Sequence, residues 1–439
     1  MTFYNEIDLP LVAGHNIRID DNGSIFERSV IDGGVRVLSQ HLPHMRSTYV
    51  SFWVGAGSRD EHTGTEGSTH FLEHLLFKGT ERRTSLDISQ ETDHLGGEFN
   101  AATSKQYTCY YGHTFEDELP QAIDLLADMV TSASLHTEDF AMERGVILEE
   151  LAMYADDASQ VAMEALPQLV YGDHPLARPV GGTRETVNAL EHASLLNHYR
   201  AVYHPEELVV TAVGAVNHEQ LCELVAKELR RGGWELNANK APRTRRIATD
   251  FIYTQGDNIA IKKEVEQASV MVGIPGVSLY DTGRPAMFAL STILGSGQSS
   301  RLFQEIREKR GLAYSAYAFP SIFREGGMLG MAAGCSPDNA QTVRDLMIDE
   351  LRKLARDGVS DTEVESAFRR IRADIVFDGE RIGSMMNRLG TSEIIRGTLI
   401  SFDEHVRQAR EVSAEDIVEL ARDMVERPVS SVIVGPARG

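Results

Sequence analysis

The chain repeats itself. The segment ASVMVGIPGVS at 268–278 resembles TYVSFWVGAGS at 48–58, and the segments after each keep the same order. After the first come STHFLEHLLFKGT (68–80), two strand-like runs, GEFNAATS and QYTCYYGHTF, and a long helical pattern near 117–131. After the second come RPAMFALSTILGSG (284–297), GLAYSAYAF, GGMLGMAAG and NAQTVRDLMIDELRKLARDG. Two halves of about 200 residues with one layout predict a duplicated fold. Adjacent strands with helices gathered in runs place each half in the α+β class, an antiparallel sheet with helices packed on it.

Between the halves, RRGGWELNANKAPRTRRIATD (230–250) has no apolar period and is rich in Gly, Asn, Pro and Arg. It reads as a linker. The division is then an N-terminal domain over 1–229 and a C-terminal domain over 251–439. In the first half, strands are expected at 35–42, 48–56 and 206–214, and a further helix at 138–154. The helix SLDISQETDHL has Thr84 as its cap with Asp87 three residues on, and Gly96-Gly97 as its end.

Composition narrows the function. Hydrophobic residues make up 42% of the chain, enough for large cores, so a disordered reading fails. Net charge is −22, from 43 basic and 65 acidic residues, with no long basic run. That argues against a nucleic-acid partner and leans toward cationic ones. No stretch is long and apolar enough to span a membrane, and the N-terminus lacks the basic and apolar regions of an export signal. Cys109, Cys222 and Cys335 lie far apart without a C-x-x-C pair, which argues against a disulfide framework and a cysteine zinc site. These features together predict a cytoplasmic protein that binds no membrane.

The duplication is unequal at one place. STHFLEHLLFKGT carries His70, Glu73 and His74, and the matching stretch of the second half has no histidine. On a helix turning about 100° per residue, His70 and His74 project about 40° apart and Glu73 about 60° to the other side of His70. Two imidazoles at that spacing can converge on one metal, in the order H-x-x-E-H. Thr65 or Ser68 is expected to cap the start of this helix and Gly79 its end. Apolar neighbours Phe71, Leu72, Leu75, Leu76 and Phe77 make the polar strip costly unless its members are ligands or otherwise paired. A catalytic zinc takes three protein ligands and keeps a position for water. TEDFAMERGVILEELAMYADD offers Glu143, Glu149 and Glu150 as the third; Glu143 and Glu150, seven apart, share a face, and spacing alone does not choose between them.

Together these motifs resemble the pitrilysin/insulin-degrading-enzyme family of zinc metallopeptidases, in its two-domain branch with the mitochondrial processing peptidase β-subunit. The likeness runs from about residue 30 to 435, on HFLEHLLFKGT and ERGVILEE, with Glu150 following His74 by 76 residues. The resemblance implies His70, His74 and Glu150 as ligands of one zinc per chain, Glu73 as general base, and Glu143 as an acid that orients a ligand. It implies that the strand GGEFNAATS, with Asn100 and Ala101, holds a peptide along its edge. It matches RLFQEIREKRGLAYS to an Arg…Tyr substrate motif, giving Arg307 the substrate and Tyr314 the oxyanion. The activity implied is that of a zinc endopeptidase on peptides and unfolded segments, enclosed by a homodimer or by a heterodimer with a homologous subunit. Some relatives are instead catalytically silent structural subunits of processing or respiratory assemblies. GSGQSS (295–300) resembles the family's glycine loop, and DHPLARPVGG (173–182) matches a family stretch without assigned chemistry, His174 reading as structural.

Overall fold

The computed structural model describes residues 6–21, 23–246 and 252–436. It divides into two compact units, each built on one large sheet, with a two-stranded antiparallel pair, Glu6–Asp8 against Thr398–Ile400, besides in the first. The strands are β1 (Glu6–Asp8), β2 (Asn16–Asp21), β3 (Ser24–Val30), β4 (Arg36–His41), β5 (Ser47–Val54), β6 (Glu98–Thr103), β7 (Thr108–Phe115), β8 (Leu208–Gly214), β9 (Asn258–Lys262), β10 (Ala268–Pro275), β11 (Ala313–Ile322), β12 (Gly327–Cys335), β13 (Thr398–Ile400) and β14 (Ser430–Gly435). The helices are α1 (Ser68–Leu75), α2 (Ser85–His94), α3 (Leu119–Ser132), α4 (Thr137–Asp156), α5 (Ala158–Tyr171), α6 (Arg184–Ala189), α7 (His192–Val202), α8 (His218–Arg231), α9 (Arg284–Gly295), α10 (Ala340–Asp357), α11 (Asp361–Glu380), α12 (Ile382–Thr391), α13 (Phe402–Glu411) and α14 (Ala414–Val425).

The first sheet has the order β2-β3-β4-β8-β5-β7-β6 and the second β11-β12-β10-β14-β9. Both are antiparallel except for one pair each, β4 with β8 and β9 with β14. A parallel pair needs a long crossover, and in each half the whole run of intervening elements supplies it. Sequence alternation showed the strands but not this pairing.

Strand residues explain the layers, because neighbours along a strand face opposite sides of the sheet. On β10, Val270, Val272 and Ile274 join one apolar cluster, with residues of α9, α10 and α14. Met271 joins another, with Leu166 and Val170 of α5, and Gly273 lies against the same two side chains. On β5, Val50, Phe52 and Val54 enter the core with α1 and α3. Trp53 instead lies on Gly390 of α12, where a Cβ would come within 2.3 Å of the indole. Both central strands are therefore buried on both faces and read as continuous apolar runs.

The units do not follow the linear division at 229 and 251. The first comprises residues 1–151, 178–246 and 378–400; the second comprises 152–177, 247–377 and 401–439. Each half thus gives one helix to the sheet of the other, α12 to the first and α5 to the second. The segment read as a linker is packed for the part that is described. Residues 230–231 end α8, and beyond them Gly33 N–H donates to Asn237 O and Arg243 N–H to Glu206 O. Arg245 donates to Leu9 O at 2.7 Å and to the Glu393 carboxylate at 2.8 Å. Residues 247–251 lie outside the described residues. Among the described residues, no helix is long and apolar enough to cross a membrane.

Candidate metal centre and active site

Helix α1 starts from Gly67 at φ 94°, a left-handed conformation that suits glycine, and a Cβ there would meet Gly181 O at 2.8 Å. Neither Thr65 nor Ser68 caps it with a side chain, and it ends at Leu75, before Gly79. The unsatisfied N–H groups are met from outside: Glu61 accepts from Gly67 N at 2.8 Å and from Thr69 N at 2.7 Å. Burial pushes the Glu61 carboxyl up to about 7, against the two backbone donors. Arg178 donates to Glu61 O, and Thr69 Oγ1 lies 2.9 Å from His198 Nε2. Gly182, at φ 72°, passes close to Glu66 O. The stretch 173–182, given no chemistry from sequence, therefore braces the start of α1 through its two terminal glycines. His174, in the second unit, accepts from Leu176 N at 3.2 Å.

Apolar packing fixes the rest of α1. Phe71, Leu72 and Leu75 are fully buried, and Phe71 stacks on Phe140 of α4 at 4.7 Å between ring centroids. That contact sets α4 opposite the polar strip. His70 and His74 stand edge to face, 4.8 Å between ring centroids. His70 Nε2 lies 3.8 Å, and His74 Nε2 3.4 Å, from the same Glu150 Oε2. Ligand atoms of these three residues all fall within 4.8 Å of one another.

This set fits a zinc ion. With bonds of about 2.0–2.1 Å, tetrahedral ligands stand about 3.4 Å apart, close to the spacing seen. His74 Nδ1 lies 3.2 Å from Glu143 Oε2, so N–H donation there leaves Nε2 its lone pair. Burial holds His70 below the ordinary imidazole range, which favours the neutral form a metal needs. The three candidates on α4 separate by position. Glu150 faces both imidazoles, Glu143 is buried behind His74, and Glu149 is exposed.

Glu73 shares the strip. Its Oε2 is buried with no hydrogen-bond partner, a costly placement for a carboxylate unless it handles a proton or ligand. Near it, Tyr110 and Tyr203 join hydroxyls at 2.7 Å. Burial pushes both phenols well up, with the Glu73 charge adding to it.

Strand β6 is an edge of the first sheet and lies against α1. Asn100 is exposed there and Ala101 buried; the Asn100 side chain accepts from Ala101 N at 2.8 Å. Arg307 and Tyr314 belong to the second unit and meet each other. The Arg307 guanidinium sits between the rings of Phe303 (4.7 Å) and Tyr314 (5.0 Å) and donates to Tyr314 O at 3.2 Å. Tyr314 is 77% exposed. Sequence reasoning missed Glu61, Gly181, Gly182 and His198; the double glycine was the one visible signal.

Comparison with known proteins identifies the family. Residues 36–184 match the family model described as Insulinase (Peptidase family M16), and residues 189–371 match the Peptidase M16 inactive domain. An uncharacterized zinc protease of Streptomyces coelicolor is 40% identical over 411 residues, covering 94% of this chain and 90% of the relative. The uncharacterized zinc protease YmxG of Bacillus subtilis is 30% identical over 413 residues, covering 94% and 99%. The crystal structure of a protease from Helicobacter pylori matches with a TM-score of 0.85 at 23% identity, covering 94% of this chain and 100% of that one.

Proposed function

The chain belongs to the insulinase family of peptidases, family M16, and from that premise we propose that it is a zinc-dependent endopeptidase acting on peptides and unfolded segments. The observation that carries the reading is the convergence of His70, His74 and Glu150 beside Glu73, whose buried Oε2 has no hydrogen-bond partner. One zinc per chain, when bound, would supply Lewis-acid polarisation of a carbonyl and a coordinated water of pKa about 7. Glu73 removes a proton from the attacking water and passes it to the leaving amine as the C–N bond breaks. His74 is held in its donor tautomer by Glu143. The free edge of β6 at Asn100 and Ala101 pairs with the substrate backbone as an added strand, displacing the Asn100 side chain from Ala101 N–H. The Tyr314 hydroxyl donates to the developing oxyanion, and Arg307, released from its aromatic stack, holds the substrate.

Two protomers enclose the reaction, as a homodimer or with a homologous subunit, and Arg307 and Tyr314 serve either the zinc of their own chain or that of the partner. The compartment is the cytoplasm, and the acidic chain, at −22, favours basic peptides over nucleic acid or membrane.

The test is hydrolysis of a mixed pool of quenched peptides by wild type, by Glu73→Gln and by chelator-treated protein. Glu73→Gln is expected to keep its zinc and lose about 10²–10⁴-fold in turnover. Wild-type turnover in that variant would remove Glu73 from the chemistry. Zinc bound without any cleavage by wild type would support a silent structural subunit.

A further inference from the structure

We propose that Lys78 is a positioning residue of the metal centre, anchoring Glu143 so that Glu143 in turn holds His74. The inference rests on the metal reading above and adds a member to it. Glu143 is 2% exposed and has two occupied sides. Its Oε2 faces His74 Nδ1 at 3.2 Å, and its Oε1 lies 2.6 Å from Lys78 Nζ, an ion pair rather than a well-directed hydrogen bond. His70, His74 and Lys78 follow one another at intervals of four. Helix α1 stops at Leu75, however, and Lys78 N–H donates to Leu75 O at 3.0 Å in the closing turn. From that turn the ammonium reaches back to Glu143, and the Lys78 side chain is only one third exposed.

The arrangement differs from an ordinary surface pair. Glu73, Glu143 and Glu150 bring three carboxylates to the neighbourhood of one ion. Glu143 gives Oε2 to His74 and Oε1 to Lys78, so the ammonium balances its charge at the oxygen the histidine does not use. Without the ammonium, a buried carboxylate is drawn toward solvent or toward the ion, and either movement releases His74 Nδ1. Residues that orient a ligating histidine are commonly worth about 10- to 100-fold in metal affinity.

Zinc affinity of the full chain, read by competition with a chromogenic chelator, tests this. Lys78→Met is expected to weaken zinc binding about 10- to 100-fold. Lys78→Arg, which keeps the charge, is expected to restore most of it. Lys78→Met added to Glu143→Gln is expected to cost nothing beyond Glu143→Gln alone, because the two residues act as one chain. Wild-type affinity in Lys78→Met would overturn the proposal. So would an equal loss in the Glu143→Gln background, or a fall in the thermal midpoint of the metal-free protein that arginine does not rescue. A wild-type chain that binds no zinc would sink the metal reading itself, an outcome separate from normal binding that ignores Lys78.

Discussion

Five strands of each sheet share one order: β6-β7-β5-β8-β4 in the first unit and β11-β12-β10-β14-β9 in the second, with the parallel pair in the same place. The helices between them correspond as well, α1 with α9 and α4 with α11, the last two each 20 residues long. The chemistry does not correspond. Where α1 carries His70, Glu73 and His74, α9 buries Met287, Leu290, Ile293 and Leu294. Where α4 aims Glu143 and Glu150 at α1, charges of α11 form ordinary ion pairs at or near the surface, Arg369 with Glu365, Arg370 with Asp374 and Glu363 with Arg301. The fold therefore requires none of the site, and the site is a handful of side chains on two helices of a frame that stands without them.

Ion pairs break this comparison most strongly. In the first unit Glu393 is fully buried and accepts from Arg28 at 2.7 and 2.9 Å and from Arg245 at 2.8 Å. In the second, the Arg301–Glu363 pair at 2.7 Å is partly exposed. Glu393→Ala strands buried guanidinium groups and is expected to cost about 3–5 kcal/mol in chemical denaturation. Glu363→Ala is expected to cost about 1 kcal/mol or less. Equal losses would mean that the buried network is not what distinguishes the two units.

A smaller difference is expected in acid. Glu61, raised to about 7 by burial, caps α1, whereas α9 begins on Gly283 with no side-chain cap. The native state binds the Glu61 proton more tightly than the unfolded chain does. Its contribution to stability is therefore full below about pH 4.5 and is lost as pH rises through about 7. Thermal midpoints of wild type should fall relative to Glu61→Gln across that interval and run parallel above it. Parallel curves throughout would refute the assignment.

The smallest effects should be equal. Thr84 with Asp87 caps α2, and Ser413 with Asp416 caps α14, by the same reciprocal bonds. Thr84→Ala and Ser413→Ala are each expected to cost about 1 kcal/mol in urea unfolding. A markedly larger loss at one would reveal a tertiary role for that cap.

Range decided how much was legible in the sequence. A short apolar run announces β5, its repeat at 268–278 announces β10, and Thr84 with Asp87 announces α2, because those signals act within a few residues. The H-x-x-E-H strip is equally local, so three of its members could be named at once. That Glu150 rather than Glu143 faces both imidazoles is not visible in spacing, because it depends on the packing of Phe71 on Phe140, which turns α4 to face α1. Glu61 was invisible because it caps α1 from a preceding turn, not from the cap position. The exchange of α5 and α12 was invisible for a similar reason: Gly390 under Trp53 and Gly273 under Leu166 look like ordinary glycines until the partners are known.

That exchange also orders events during synthesis. The last strand of the first sheet, β8, is complete at Gly214, but α12, which covers its second face, ends at Thr391. At about 5–20 residues per second, the nascent chain must carry that uncovered face for roughly nine to thirty-five seconds. Meanwhile α5 has been made before the sheet on which it will rest. Neither unit can close until most of the chain has left the ribosome, so the two mature nearly together, and the interval before that is when the newborn chain is most open to aggregation or chaperone capture.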